Sequence, residues 1–252
     1  MQILSEIREQ PALLAGILTR EQPAVHRLAR SLRQRRPPFA MIVARGTSDN
    51  AAVYGKYVLE SLARLPVALA APSLYTLYNA PPDLSSSCVL ALSQSGQSPD
   101  LVAVLTEARR QGALTAAVVN QQESPLAEAA EHVLWCGAGL ERTVAATKSY
   151  TAELLLLAML AIALAEDANL AAQLPAVPKA VASVLHLEDQ IASLATAWRS
   201  IDRCVVLGRG YAFATALECS ARAMSSSRPA LSSASWRKPA SAMAYAMSRE
   251  PR

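Results

Sequence analysis

The chain has 252 residues, 52% of them hydrophobic and 17% charged, with a formal charge of +4. That is length for one large or two small domains around a real core, and it argues against a disordered or fibrous chain. Aromatics make up only 5% and are not interleaved with the basic residues, which argues against a nucleic-acid binder.

Residues 3–36 read as two amphipathic helices broken near Pro23, ending in the cluster Arg30, Arg33, Arg35 and Arg36 before Pro37-Pro38. Cations at a helix C-terminus complement the dipole, so the cluster reads as a solvated helix end. The opening MQILSEIREQP carries charges where a signal peptide would need an apolar run, and a cytoplasmic location is expected.

From residue 39 an alternation begins. Strands are expected at 39–44, 66–71, 87–92, 114–120 and 132–136. Between them the pattern gives a helix over 50–63, a helical turn at 75–79, a helix from Ser98-Pro99 to Gln111 closed by Gly112, and a turn at 125–130. Serine suits an N-cap and proline the first helical position. Leu101, Val102, Leu105 and Ala108 should face inward. Strands alternating with helices imply right-handed crossovers and a doubly wound parallel sheet, with its ligand outside the carboxyl ends of the strands.

A long apolar helix follows from Tyr150 to about Glu166. Its segment 154–165 is too short for a membrane span and reads as a core helix, so no membrane partner is expected. A single helix is expected over 176–198, with Val177, Val181, Val184, Leu185, Ile191 and Leu194 on one side. Residues 203–207 then repeat the opening strand, and Gly208-Arg209-Gly210-Tyr211 repeats its turn. The pattern fades after about Cys219 into a Ser-, Ala- and Arg-rich stretch. The expected organisation is N-terminal helices (1–36), a first α/β domain (37–168), a connecting helix (169–200) and the start of a second copy (201–252). The tail of that copy is expected to be disordered, as a truncated or frame-shifted gene would leave it. Cys88, Cys136, Cys204 and Cys219 are widely spaced and read as buried, reduced thiols; no metal spacing occurs.

Chemistry concentrates in two turns. SQSGQS at 93–98 offers the Ser93, Ser95 and Ser98 hydroxyls, the Gln94 amide and the backbone around Gly96 at a helix N-terminus, where an anion is favoured. Serines that merely cap a helix are the alternative. Thr47 and Ser48 end the neighbouring strand and point at the same crevice. Neither a Walker loop nor a dinucleotide fingerprint is present, so no nucleotide cofactor is expected.

The segments ARGTSD at 44–49, LSQSGQSPD at 92–100 and RTVAATKSY at 142–150, in that order, resemble the sugar isomerase (SIS) domain. They are most similar to the isomerase half of glucosamine-6-phosphate synthase and to the amidotransferase-like glucosamine-6-phosphate deaminases, over roughly residues 1–218. The resemblance implies tandem domains, each with a flavodoxin-like five-stranded parallel sheet, assembled as a homodimer, with a sugar phosphate as substrate and neither metal nor cofactor. It implies that Ser48, Ser93, Gln94, Ser95 and Ser98 hold the phosphate, that Thr47 meets a sugar hydroxyl, and that Val144 to Ala146 line the sugar. Lys148 is a candidate catalytic amine, or only a lysine at the start of the long helix.

Departures also stand out. No glutaminase domain precedes MQILSE, and the expected consequence is that ammonia is not drawn from glutamine here. Glu218 matches the first glutamate of the family's catalytic helix, but Ser225 stands where the proton-shuttling glutamate belongs. The ring-opening histidine is unmatched, and His26, His132 and His186 read as structural or exposed. Glu141 and Glu153 read as surface and helix-face residues. The parent reaction interconverts fructose 6-phosphate plus ammonia with glucosamine 6-phosphate; a non-catalytic sugar-phosphate-binding module is the alternative, and a poorly folding gene fragment is a third.

Overall fold

The structure, a computed structural model, describes residues 2–142, 146–198 and 205–226. Two helices come first, α1 (Gln2–Arg20) and α2 (Gln22–Arg35). They are separated by Glu21, with Pro23 in the first turn of the second helix, where a missing N–H costs nothing. Then follow β1 (Ala40–Val43), α3 (Thr47–Ala63), β2 (Val67–Leu69), α4 (Ser73–Thr76), β3 (Cys88–Ser93), α5 (Pro99–Arg110), β4 (Leu114–Val119), α6 (Pro125–Ala129) and β5 (His132–Trp135). The five strands form one parallel sheet in the order β2-β1-β3-β4-β5. This is the doubly wound α/β sheet expected from the alternation.

Every residue of β1, β3 and β4 is buried. The strands read as continuous apolar runs because both faces are covered. Ala40, Ile42, Leu90 and Leu92 point to one side, into the core formed with α1, α2 and α3. Met41, Val43, Val89 and Ala91 point to the other, against Leu101, Val104, Leu105 and Ala108 of α5. Val104 replaces Val102 on the inner stripe, one turn from Leu101 and Ala108 as helical spacing requires.

The apolar helix is α7 (Lys148–Ala165), sandwiched by α1, α2 and α3, with Leu155, Leu156, Leu157 and Leu160 buried. It is long and apolar enough to cross a membrane, but two thirds of it is inside this fold. Arg33 does more than end a helix in solvent: its guanidinium donates to the Ala163 carbonyl at 2.7 Å and so caps α7. At the open edge of the sheet, the Glu21 carboxylate accepts from the Trp135 N–H at 3.0 Å, and the Arg20 guanidinium lies 4.4 Å from the Trp135 ring. The edge backbone is thereby covered rather than left as a template.

Two expectations are corrected beyond α7. The single helix over 176–198 is α9 (Val177–Leu185) and α10 (Glu188–Ala197), preceded by α8 (Ala168–Gln173) and bent by 51° at residues 186–187. Its apolar stripe faces inward only at its start, where Val177 and Val181 pack on the core and α9 lies against α1; Val184, Ile191 and Leu194 are each more than half exposed. The repeated strand does not form in its described part, residues 205–207, where Val205 and Leu207 are 83% and 88% exposed. A strand is completed by neighbours, and none of the described strands pairs with this segment. The helix after it, α11 (Ala212–Ser226), packs on α3 of the first unit. Residues 203–204 and the tail from 227 lie outside the described residues. So does Cys204; Cys88 and Cys136 are buried free thiols as expected, whereas Cys219, on α11, is exposed.

Candidate functional site

Strand order reverses between β1 and β3, and the two turns that leave these strands meet there. Together with Ala146, they enclose a pocket of about 210 Å³ lined by Arg45, Thr47, Ser48, Leu92, Ser93, Gln94, Ser95, Ser98 and Leu101. Seven of the eight substrate-binding candidates therefore line one cavity; Val144 lies outside the described residues. Two helix N-termini face this cavity, of α3 and of α5, so unsatisfied backbone N–H groups and two positive dipole ends converge on it.

The first turn is sharper than the sequence suggested. α3 starts at Thr47, three residues early, because Gly46 at φ +61° turns the chain directly from strand to helix. Thr47 and Ser48 thus sit in the first helical turn. The second turn depends on Gly96, at φ +64°, where a Cβ would stand 2.2 Å from the Ser124 hydroxyl oxygen. Leu126 N–H donates to the Gly96 carbonyl at 3.1 Å, and Asn120 N–H to that of Gln94 at 3.3 Å, tying the turn to the ends of β4 and α6.

Local hydrogen bonds set what each hydroxyl can offer. Ser93 Oγ accepts from Gly96 N–H at 3.0 Å and Ser95 Oγ from Gln97 N–H at 3.3 Å, which leaves both hydroxyl protons available to an anion. Ser98 occupies the N-cap of α5 without a side-chain capping bond, so its hydroxyl is also available. Ser48 differs. Its Oγ lies 2.8 Å from Glu153 Oε1, beneath the pocket floor.

Glu153 overturns its reading as a helix-face residue. It is 1% exposed, its Oε2 has no hydrogen-bond partner among the described residues, and burial pushes its carboxyl up to about 8, with Ser48 opposing and Glu141 and Glu218 adding to the rise. Glu141 is no surface residue either. Its carboxylate accepts from the backbone N–H groups of Thr147 and Lys148 and from the Thr147 and Ser149 hydroxyls, closing the N-terminus of α7. The sequence carries only part of the signal: Glu153 is the lone carboxylate inside TAELLLLAML and Glu141 precedes the TKS helix start, but neither position shows what packs over it. Arg45 was quoted within ARGTSD but not singled out; it lines the pocket and pairs with Asp100 at 2.6 Å.

The catalytic candidates lie elsewhere. Lys148 Nζ pairs with Glu9 of α1 at 2.6 Å and lines a separate pocket with Glu6 and Arg142. Glu218 is 4% exposed and accepts from Asn50 Nδ2 and Arg222 Nε, both at 2.7 Å. Arg222 also donates to the Ala146 carbonyl, tying α11 to the pocket rim. Tyr150 lies beside this cluster, its hydroxyl pushed up to about 12 by burial and by Glu218.

A five-stranded parallel sheet with hydroxyl-lined strand-end turns at its switch point is the architecture of the phosphosugar isomerases. The SIS domain family pattern matches residues 38–163, half of the chain, and the chain belongs to that family. A glutamine–fructose-6-phosphate aminotransferase [isomerizing] of Thermus thermophilus is 36% identical over 228 residues, which cover 86% of this chain and 38% of that protein. The chain thus spans about two fifths of the length of the curated relatives it matches. A solved structure from Silicibacter pomeroyi DSS-3, described as a phosphosugar isomerase, is 36% identical with a TM-score of 0.83, over 88% of this chain and 67% of that one. The C-terminal domain of glucosamine-fructose-6-phosphate aminotransferase from Francisella tularensis shares the fold, with a TM-score of 0.72 at 23% identity, over 88% of this chain and 66% of that one.

Proposed function

We propose that this chain binds a hexose or amino-hexose 6-phosphate in the pocket at the switch point of its sheet. The observation that carries this reading is the convergence of Ser93, Ser95 and Ser98, each with a free hydroxyl proton, on a cavity at two helix N-termini. A phosphate ester asks for several donors from one side, and such a cradle supplies them. Ser48 and the Gln94 amide complete the phosphate site, Thr47 faces a sugar hydroxyl, and Ala146 borders the sugar. Arg45 adds the one cation among the described lining residues. Leaving Asp100 for the phosphate would make a charge-assisted contact.

Turnover of fructose 6-phosphate plus ammonia to glucosamine 6-phosphate, or its reverse, needs a group that moves a proton between neighbouring sugar carbons. Glu218 is engaged by Asn50 and Arg222 and does not line the pocket, and Lys148 is held by Glu9. The reading therefore rests on binding in the first unit. A homodimer belongs to it, supported by the exposed Ile191, Leu194 and Trp198 of the α10 segment, as does a cytoplasmic site of action.

The test is a calorimetric titration with fructose 6-phosphate and glucosamine 6-phosphate, with unphosphorylated fructose as control and ammonia release followed in the same samples. Binding of the phosphates but not of fructose, without ammonia, is the expected result. Equal binding of fructose would contradict a phosphate site; ammonia release would replace the binding module with an enzyme.

A further inference from the structure

Four serines meet at the pocket, and one is unlike the rest. Ser93, Ser95 and Ser98 keep their hydroxyl protons for a ligand, whereas Ser48 Oγ is 2.8 Å from a carboxylate oxygen. If Glu153 is ionised, it can only accept, and the Ser48 proton is spent on it. Ser48 would then present lone pairs to an incoming phosphate, and a carboxylate would lie one hydroxyl away from a dianion in a buried setting. If Glu153 holds a proton, the same 2.8 Å bond reverses. The carboxyl donates to Ser48 Oγ, and the Ser48 proton is released toward the pocket.

We propose that Glu153 is a positioning residue for the phosphate, binding one proton together with the ligand so that Ser48 can donate to the phosphate oxygen. The inference rests on the phosphate-site reading above and adds to it the proton that the site requires.

The surroundings of Glu153 favour this state. From α3 it faces Ser48, with Asn50 beyond, which is turned to Glu218. Glu141 faces it from the segment before α7, and Glu218 from α11, where Arg222 offsets the latter. Cys136, after β5, is a buried thiol raised well above its ordinary range by burial and by Glu153 itself. On α7, Tyr150 is neutral at ordinary pH. The cations on the packed elements α1 and α7, Arg8, Arg20 and Lys148, are paired with Glu188, Glu21 and Glu9. No described cation bonds to Glu153, its second oxygen is unpartnered, and its own carboxyl is raised to about 8. A phosphate dianion above Ser48 would raise it further.

The experiment is calorimetric titration of the full chain with fructose 6-phosphate at pH 7, 8 and 9, where the ester stays a dianion, in pairs of buffers of different ionisation enthalpy. For a carboxyl near pH 8 in the free protein, affinity should fall about tenfold between pH 7 and pH 9, with close to one proton taken up per ligand at pH 9. Glu153→Gln keeps a donor for Ser48 Oγ; it should bind within about threefold of the parent at pH 7 and stay flat to pH 9, with no proton uptake. Glu153→Leu takes away the acceptor that holds the Ser48 proton, so it too should bind without pH dependence and without proton uptake. Affinity of the parent chain that does not change from pH 7 to 9, or a Gln variant that falls with pH as the parent does, would overturn the proposal while leaving the phosphate site standing. Absence of binding at any pH in the parent would overturn the site and this inference together. Proton uptake by the parent chain needs no variant, so a Gln chain that failed to fold would still leave the decision to that measurement.

Discussion

The sequence repeats an apolar run, a glycine turn and a helix, at Val43 to Thr47 and at Val205 to Ala212, and the two fates differ. The first is backed by β2 and β3, buried throughout its strand, and drives its helix N-terminus into a ligand-sized pocket. The second has the same kind of residues and a glycine, Gly210, at nearly the same φ of +61° as Gly46, yet Val205 and Leu207 stand in solvent. Its helix α11 buries Ala214, Ala216 and Glu218 against the first unit instead. A turn motif fixes a local bend; only neighbouring strands make it a site.

Four measurements can break or sharpen this contrast. The largest effect should come from the carboxyl beneath the first turn, Glu153. Below its ordinary value of 4.5, Glu153 is protonated folded and unfolded alike; the cost to folding grows as the unfolded carboxyl ionises and is complete once pH passes about 8. Denaturant unfolding should therefore show the parent chain losing on the order of 4 kcal/mol between pH 4.5 and 9 from this group, a loss that Glu153→Gln lacks. Equal pH profiles would mean that Glu153 is not the buried acid described here.

Next, Leu90→Ala in β3 should cost about 3 kcal/mol, and Leu207→Ala, at 88% exposure, less than about 0.5 kcal/mol. Comparable losses would mean that the second segment is buried after all. The glycines give a smaller split. Gly96→Ala must displace Ser124 and should cost roughly 2 kcal/mol or more together with ligand affinity. Gly210→Ala, with open space around it, should cost about 1 kcal/mol for the left-handed backbone alone. Smallest is a difference of thiol reactivity. Cys219 should label rapidly in the folded chain, whereas Cys88, raised to about 12, and Cys136 should react only on unfolding.

The sheet was legible because its strands are apolar on both sides and separated by Gly, Pro and Ser; five runs predicted five strands. The cradle was legible because serines cluster where an apolar run stops, and Ser93, Ser95 and Ser98 do meet Thr47 and Ser48. What lay beneath was not. Glu153 looks like one acid on a helix until α3 and α11 are packed over it, and Glu141 like a loop residue until α7 begins a few residues later. The stripe over α9 and α10 has helical periodicity throughout, yet only its start, Val177 and Val181, finds the core, because periodicity says nothing about which helix faces find a partner. The expected strand failed in its described part, residues 205–207, for the same reason, since its apolar residues cannot reveal that the described fold offers them no ladder.

The central claim, that the strand-end turns of the first unit hold a phosphate ester, is tested most directly by titrating fructose 6-phosphate into the parent chain and into Ser93→Ala with Ser95→Ala. Two charge-assisted donors lost should lower affinity by about a hundredfold or more, in a double variant that still unfolds cooperatively although the Gly96 N–H loses its acceptor. Undiminished affinity in a folded double variant would contradict the account and place the ligand elsewhere in the molecule.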